Sequence, residues 1–188
     1  MKAATRKFER EYIRTRDRIE KKGVRMAQAA IVSQYRQFLE RARELPPEMW
    51  DNIQIKSDPV RKFFNEFYPM SAPLGQMTRK YLNQKKSVED DLYLSVFQRR
   101  MQHIVSTSVY SERIKTITNT TSERINTVLA DLLSEAETGG WGIDKTRAEL
   151  VSRIGQSIRG NVRARAQGIA QTEMISASNQ ASTYAAVS

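Results

Sequence analysis

Apolar side chains recur at three- and four-residue spacing through most of this chain, and no stretch shows sustained strand-like alternation, so the pattern predicts a mostly or wholly helical protein. Residues 4–44 read as one long helix, or two joined near Gly23. They carry a thin stripe at Phe8, Tyr12, Ile19 and Met26, then a fuller one at Ala27, Ile31, Tyr35, Phe38 and Ala42. No proline interrupts them before Pro46, and Pro46-Pro47 breaks that helix and suits the start of a short new one. Residues 50–75 are aromatic, with Trp50, Phe63, Phe64, Phe67 and Tyr68 expected to pack as core. Pro69, Pro73 and Gly75 mark residues 69–75 as a turn or surface linker.

The next stripe is Leu92, Val96, Phe97, Met101, Ile104, Val105 and Val109, behind a basic run at 80–86 and an acidic start capped by Ser87. A hydroxyl-rich run follows, and a helix ending before a fresh cap at Thr120 explains it more simply than an extended piece. Thr120-Thr121-Ser122-Glu123 has the form of a helix start, with Ile125, Val128, Leu129, Leu132 and Leu133 as the buried face. Gly139-Gly140-Trp141-Gly142 ends that helix, and Asp144 or Thr146 caps the next one, with Leu150, Val151, Ile154 and Ile158 inward. Gly160-Asn161 reads as a tight turn. The last helix then turns inward Val162, Ala166, Ile169, Ala170, Ala177, Ala181 and Tyr184, mostly small side chains that let a partner approach closely.

Glu173 falls on that small-residue stripe. A carboxylate there is costly to bury unless a donor meets it, so a structural ion pair with Arg163, Arg153 or Arg124 is expected, with a general base as the less favoured role.

Charge changes the picture at one end. The 188 residues carry a formal net charge of +10, and the surplus is concentrated in residues 1–45. Three readings of that helix stay open. It is a solvated edge helix, or it meets nucleic acid through Arg10, Arg14, Arg16, Arg18, Lys21, Lys22 and Arg25, or it docks on an acidic protein. The organisation expected is a long basic helical arm over 1–45, an aromatic-rich helical middle over 46–112, and a compact helical domain over 113–188.

The same composition leaves little for catalysis. Without cysteine there is no disulfide, thiolate nucleophile or zinc–thiolate site, and His103 stands without a spaced partner. The glycines at 139–142 lack the Lys-Ser/Thr and preceding strand of a phosphate loop. Glu89-Asp90-Asp91 and Glu135, Glu137 and Asp144 make weak metal sets. No catalytic residue, metal, cofactor, signal peptide or membrane span is expected.

The residues Gly140 and Gly142, then Arg165-Ala166, Ile169-Ala170, Thr172-Glu173, Ala177 and Asn179, resemble the head-morphogenesis family of tailed phages that includes the F protein of phage Mu. Gln171 stands where that family usually has arginine. The likeness covers about the last seventy residues; before them it is only helical character. It implies a structural minor head protein associated with the portal and with capsid or scaffold proteins. By the same likeness the protein sits inside the virion head, in several copies around the portal, after assembly in the host cytoplasm. Its work would be head assembly, DNA packaging or DNA ejection, with non-specific contact to DNA. Many relatives continue into a β-rich tail with Trp, Asp and His, and no metal or enzymatic role of that tail carries over. The other readings are a basic protein binding nucleic acid without sequence preference, and an enzyme whose catalytic segment lies downstream.

Overall fold

The computed structural model describes residues 2–82 and 90–187, and every element among them is helical. Helix α1 (Lys2–Glu44) leads through a 3₁₀ turn (Pro47–Asn52) to α2 (Asp58–Phe67). A second 3₁₀ turn (Tyr68–Ser71) runs into α3 (Ala72–Leu82), and α4 (Asp90–Val105), α5 (Ser108–Thr138) and α6 (Ile143–Val187) complete the chain. The all-α expectation holds. The expected Ser87 cap, Glu89, the basic residues Lys85 and Lys86, and the side chains of Asp91 and Leu92 lie outside the described residues.

Two long helices frame the molecule. At 1.5 Å per residue, α1 and α6 each span roughly 65 Å, and they run antiparallel over that length. Tyr12 near the start of α1 meets Ser182 near the end of α6 at 3.3 Å between hydroxyls. At the other end the Arg147 guanidinium donates to the Leu45 carbonyl at 3.3 Å. α5 folds back along α6, while α2, the second 3₁₀ turn, α3 and α4 fill the flanks. One buried cluster draws Ala27, Ile31, Tyr35, Phe38 and Ala42 from α1 and the rings of residues 50–68. Ile114, Ile125, Leu150, Ile154 and Ala166 join it from the last two helices. The 1–45 stretch therefore supplies core.

α1 passes through Gly23 without a break, because Gly23 is where Phe67 crosses it: a Cβ there would stand 2.2 Å from the ring. At the end of α1, the Trp50 indole N–H donates to the carbonyls of Ala42 (2.9 Å) and Leu45 (3.1 Å), which satisfies last-turn acceptors.

Several expected boundaries are absent. Residues 69–75 form no loop: Pro69 and Pro73 occupy the first turns of the second 3₁₀ turn and of α3, where a missing N–H costs nothing, and Leu74 and Gly75 are buried. Thr120 caps nothing. Ile114, Thr118, Thr121 and Ile125 keep one buried stripe running through α5, and the Thr116, Thr118 and Thr120 hydroxyls donate to carbonyls four residues back at 2.9 Å. Gly160-Asn161 makes no turn either. Both are exposed, while Leu150, Ile154, Val162, Ala166 and Ala170 continue the buried face of α6 past them. Steps of four residues turn that face about 40° each, so one helix meets α5 from Arg153 as far as Ser176 and also packs against α1 and α3. Val96, Val109 and Val151, expected inward, are exposed.

The turn at 139–142 is as expected. Gly140 has φ +60°, the Trp141 N–H reaches the Ala136 carbonyl at 2.9 Å, and the Gly140 N–H reaches Glu137 at 3.3 Å. That is a Schellman ending, which calls for glycine at the left-handed position. Neither Asp144 nor Thr146 caps α6. Both lie inside its first turn, and the Thr146 hydroxyl donates back to the Gly142 carbonyl at 3.1 Å.

Candidate functional site: a buried anchor and a basic face

The α5–α6 hairpin sets a register. Arg153 pairs with Glu135 nearest the turn, Arg165 meets Thr121 at 2.9 Å midway, and Arg113 meets Glu173 at 2.9 Å furthest out. This register corrects the expected partner of Glu173. Arg163 sits ten residues back on the same helix, Arg153 is held opposite Glu135, and Arg124 lies nearer the turn. Arg113 is the cation that the antiparallel pairing delivers.

Around that pair the interior is polar and satisfied. The Tyr68 hydroxyl donates to Glu173 Oε2 at 2.6 Å, beside Arg113 Nη1. The guanidinium also reaches Ser176 at 3.4 Å and lies 5.2 Å from the centre of the Tyr110 ring. The Glu173 side chain is 6% exposed and that of Arg113 37%, so the carboxylate is inside and the cation sits at the rim. Burial, followed by the negative charge of Glu173 and its hydrogen bond, pushes the Tyr68 hydroxyl well above its usual range. Burial pulls Arg113 down, but Glu173 and the nearby tyrosines outweigh it and the guanidinium is held above its ordinary value. Tyr68 therefore remains a donor. A carboxylate oxygen engaged by both Tyr68 and Arg113 acts as an anchor joining α5, α6 and the second 3₁₀ turn.

A second polar knot lies nearer the turn. Gln34 of α1 is fully buried; its amide nitrogen donates to Thr118 (3.0 Å) and to the Lys56 carbonyl (3.2 Å), and its oxygen accepts from Thr121 (2.9 Å). Arg165 closes the knot on Thr121 and the Ile117 carbonyl, and burial holds its guanidinium below its ordinary value. Gln34 has a usable signal in the sequence, a polar residue on the apolar stripe between Ile31 and Phe38. Arg113 and Tyr68 carried no such signal, because only the hairpin register brings them to Glu173.

The resemblance residues divide accordingly. Ala166, Ala170 and Ala177 are fully buried and bring the helices close, Arg165 and Glu173 lock them, and Ile169 is half-buried. Gly140 and Gly142 flank the turn, and Thr172 and Asn179 point outward.

No family model, curated protein or solved structure matches this chain.

On α1, Arg10, Arg14, Arg18, Lys21, Lys22 and Arg25 are exposed on one side, opposite the buried Ile19 and Gly23. Arg16 is set apart on the other side, 3.5 Å from Asp17. Among the described residues no three His, Asp or Glu side chains gather to hold a metal, no helix is long and apolar enough to cross a membrane, and His103 is exposed.

Proposed function

We propose that this chain is a structural, non-enzymatic minor head protein of a tailed phage, seated at the portal and capsid interior, with a role in head assembly, DNA packaging or DNA delivery. The reading rests on the resemblance of its last seventy residues, and one structural observation supports it. Five of the resemblance residues, Arg165, Ala166, Ala170, Glu173 and Ala177, form the inward, locking face of a single helix. Arg165 and Glu173 tie this helix to α5, the buried alanines let its neighbours approach closely, and none of the five is left free for chemistry. A rigid rod of small-residue contacts with a cationic side suits a part that packs against a ring in the presence of DNA.

Co-sedimentation of the full chain with purified portal rings from the same genome, at low and at high salt, tests it. Retention on the rings at high salt is the expected result. Loss of all ring binding, with salt-sensitive DNA binding intact, would overturn it in favour of a nucleic-acid-binding protein without sequence preference.

A further inference from the structure

We propose that the outer face of α1 over residues 6–25 binds duplex DNA through its phosphates, without reading sequence. The inference stands whether or not the chain is a head protein. At about 100° per residue, Arg10, Arg14, Arg18, Lys21, Lys22 and Arg25 fall within one side of the helix, and Arg6 and Lys7 extend that side toward the N-terminus. All eight are exposed, and among the described residues none is held in an ion pair. The stripe is about 28 Å long. It is rigid, because the opposite side of the same turns is fastened to the fold. Ile19 is buried, Phe8 stacks on Tyr81 at 4.3 Å between ring centres, and Tyr12 is tied to Ser182.

Most acidic residues of this stretch are displaced from the stripe, but Glu11 lies within it and lowers its charge by one. Glu9 and Glu20 fall on other sides of the helix and Asp17 at its edge, whereas Glu11 shares a shallow depression with Arg6, Lys7, Arg10 and Arg14. Such a surface attracts a dense polyanion.

Three absences choose among polyanions. The two rings of this stretch, Phe8 and Tyr12, are half-buried against α3 and α6, so nothing on the stripe offers bases a stacking platform, as single-strand binders do. No asparagine or glutamine lies among the eight cations to read an adenine edge. No large apolar side chain stands in its centre, Ile13 being at the margin, and an acidic protein partner would want such an anchor. A straight row of long cationic side chains with no stacking ring and no apolar anchor fits the phosphates of a duplex.

Fluorescence anisotropy with two unrelated 30-base-pair duplexes tests this on the full chain, across 50 to 200 mM salt. If about five phosphates are neutralised, the log–log salt slope is near −4.5, and affinity falls by roughly 500-fold over that range, equally for both sequences. The triple variant Arg10→Gln, Arg14→Gln and Arg18→Gln, at exposed positions, should keep the melting temperature and flatten the slope by about 3. The control Arg124→Gln, Arg159→Gln and Arg163→Gln, on α5 and α6, should leave the slope of the α1 contact in place. A slope unchanged by the α1 variant would overturn the proposal, as would tighter binding to the single strand. Binding to polyglutamate as tight as to duplex would move the surface to an acidic protein partner.

Discussion

Gly23 offers the sharpest test of how this fold is held. Replacing a glycine in the interior of a 43-residue helix by alanine ordinarily stabilises, by about 1 kcal/mol, because alanine has less backbone freedom to lose. At Gly23 the sign should invert. The new Cβ would stand 2.2 Å from Phe67 Cε2 and 2.9 Å from two further ring atoms. That ring cannot swing aside: it is fully buried, stacked on Phe63 at 5.2 Å and edge-on to Tyr68 at 6.3 Å. Reaching ordinary contact requires the ring or α1 to move by about 1 Å. Overpacking of this kind costs about 2–3 kcal/mol, of which helix propensity returns about 1. The net loss of about 1–2 kcal/mol lowers the melting temperature by roughly 2–8 °C in a chain of this size. Differential scanning calorimetry of Gly23→Ala measures it, with Gly168→Ala as the control, since a Cβ there meets nothing within 4 Å. The control should rise by about 2 °C. In a Phe67→Leu background the Gly23→Ala penalty should largely vanish, a coupling that a double-mutant cycle reads directly. Stabilisation by Gly23→Ala equal to that of Gly168→Ala would refute the claim that α2 sits directly on α1 here.

Other consequences follow from the polar knots. Arg113→Met strands a buried carboxylate with Tyr68 as its remaining named donor and should cost about 3 kcal/mol in urea unfolding, whereas Glu173→Gln leaves a rim guanidinium that water can solvate and should cost about 1; equal losses would argue against the inside–rim asymmetry. Because the Tyr68 hydroxyl is pushed above its usual range in the fold, the stability it confers is complete below about pH 10, the value for a free tyrosine, and declines as pH rises beyond it. Melting temperatures from pH 9 to 11 should fall less steeply in Tyr68→Phe than in the parent, Tyr35 supplying the slope that remains; an identical slope would remove Tyr68 from the account. Gln34→Leu leaves Thr118 and Thr121 bonded to their own helix carbonyls but deprives the Lys56 carbonyl of its donor, so a loss of about 1–2 kcal/mol is expected, with the helical content unchanged by circular dichroism.

What the sequence determined by itself was local. Three- and four-residue spacing identified helices, the aromatic cluster announced itself as core, and Gly139-Gly140 placed a turn where a left-handed residue was needed. The cost of burying Glu173 required a cation at that position. Long-range matters were decided elsewhere. Thr120 and Gly160-Asn161 carry the chemistry of helix ends, but a local signal worth about 1 kcal/mol yields when the buried stripe runs through it. Pro69 and Pro73 looked like breakers, but each stands in the first turn of a helical element, where its missing N–H costs nothing. Gly23 looked like a weak point in α1, and only the approach of Phe67, 44 residues away in sequence, shows why no side chain fits there. Arg113, not a nearer arginine, meets Glu173 because two antiparallel helices leaving one turn pair residues at matched distances from it. Spacing along a chain fixes which side chains share a face; which faces meet, and in what register, depends on how whole helices pack.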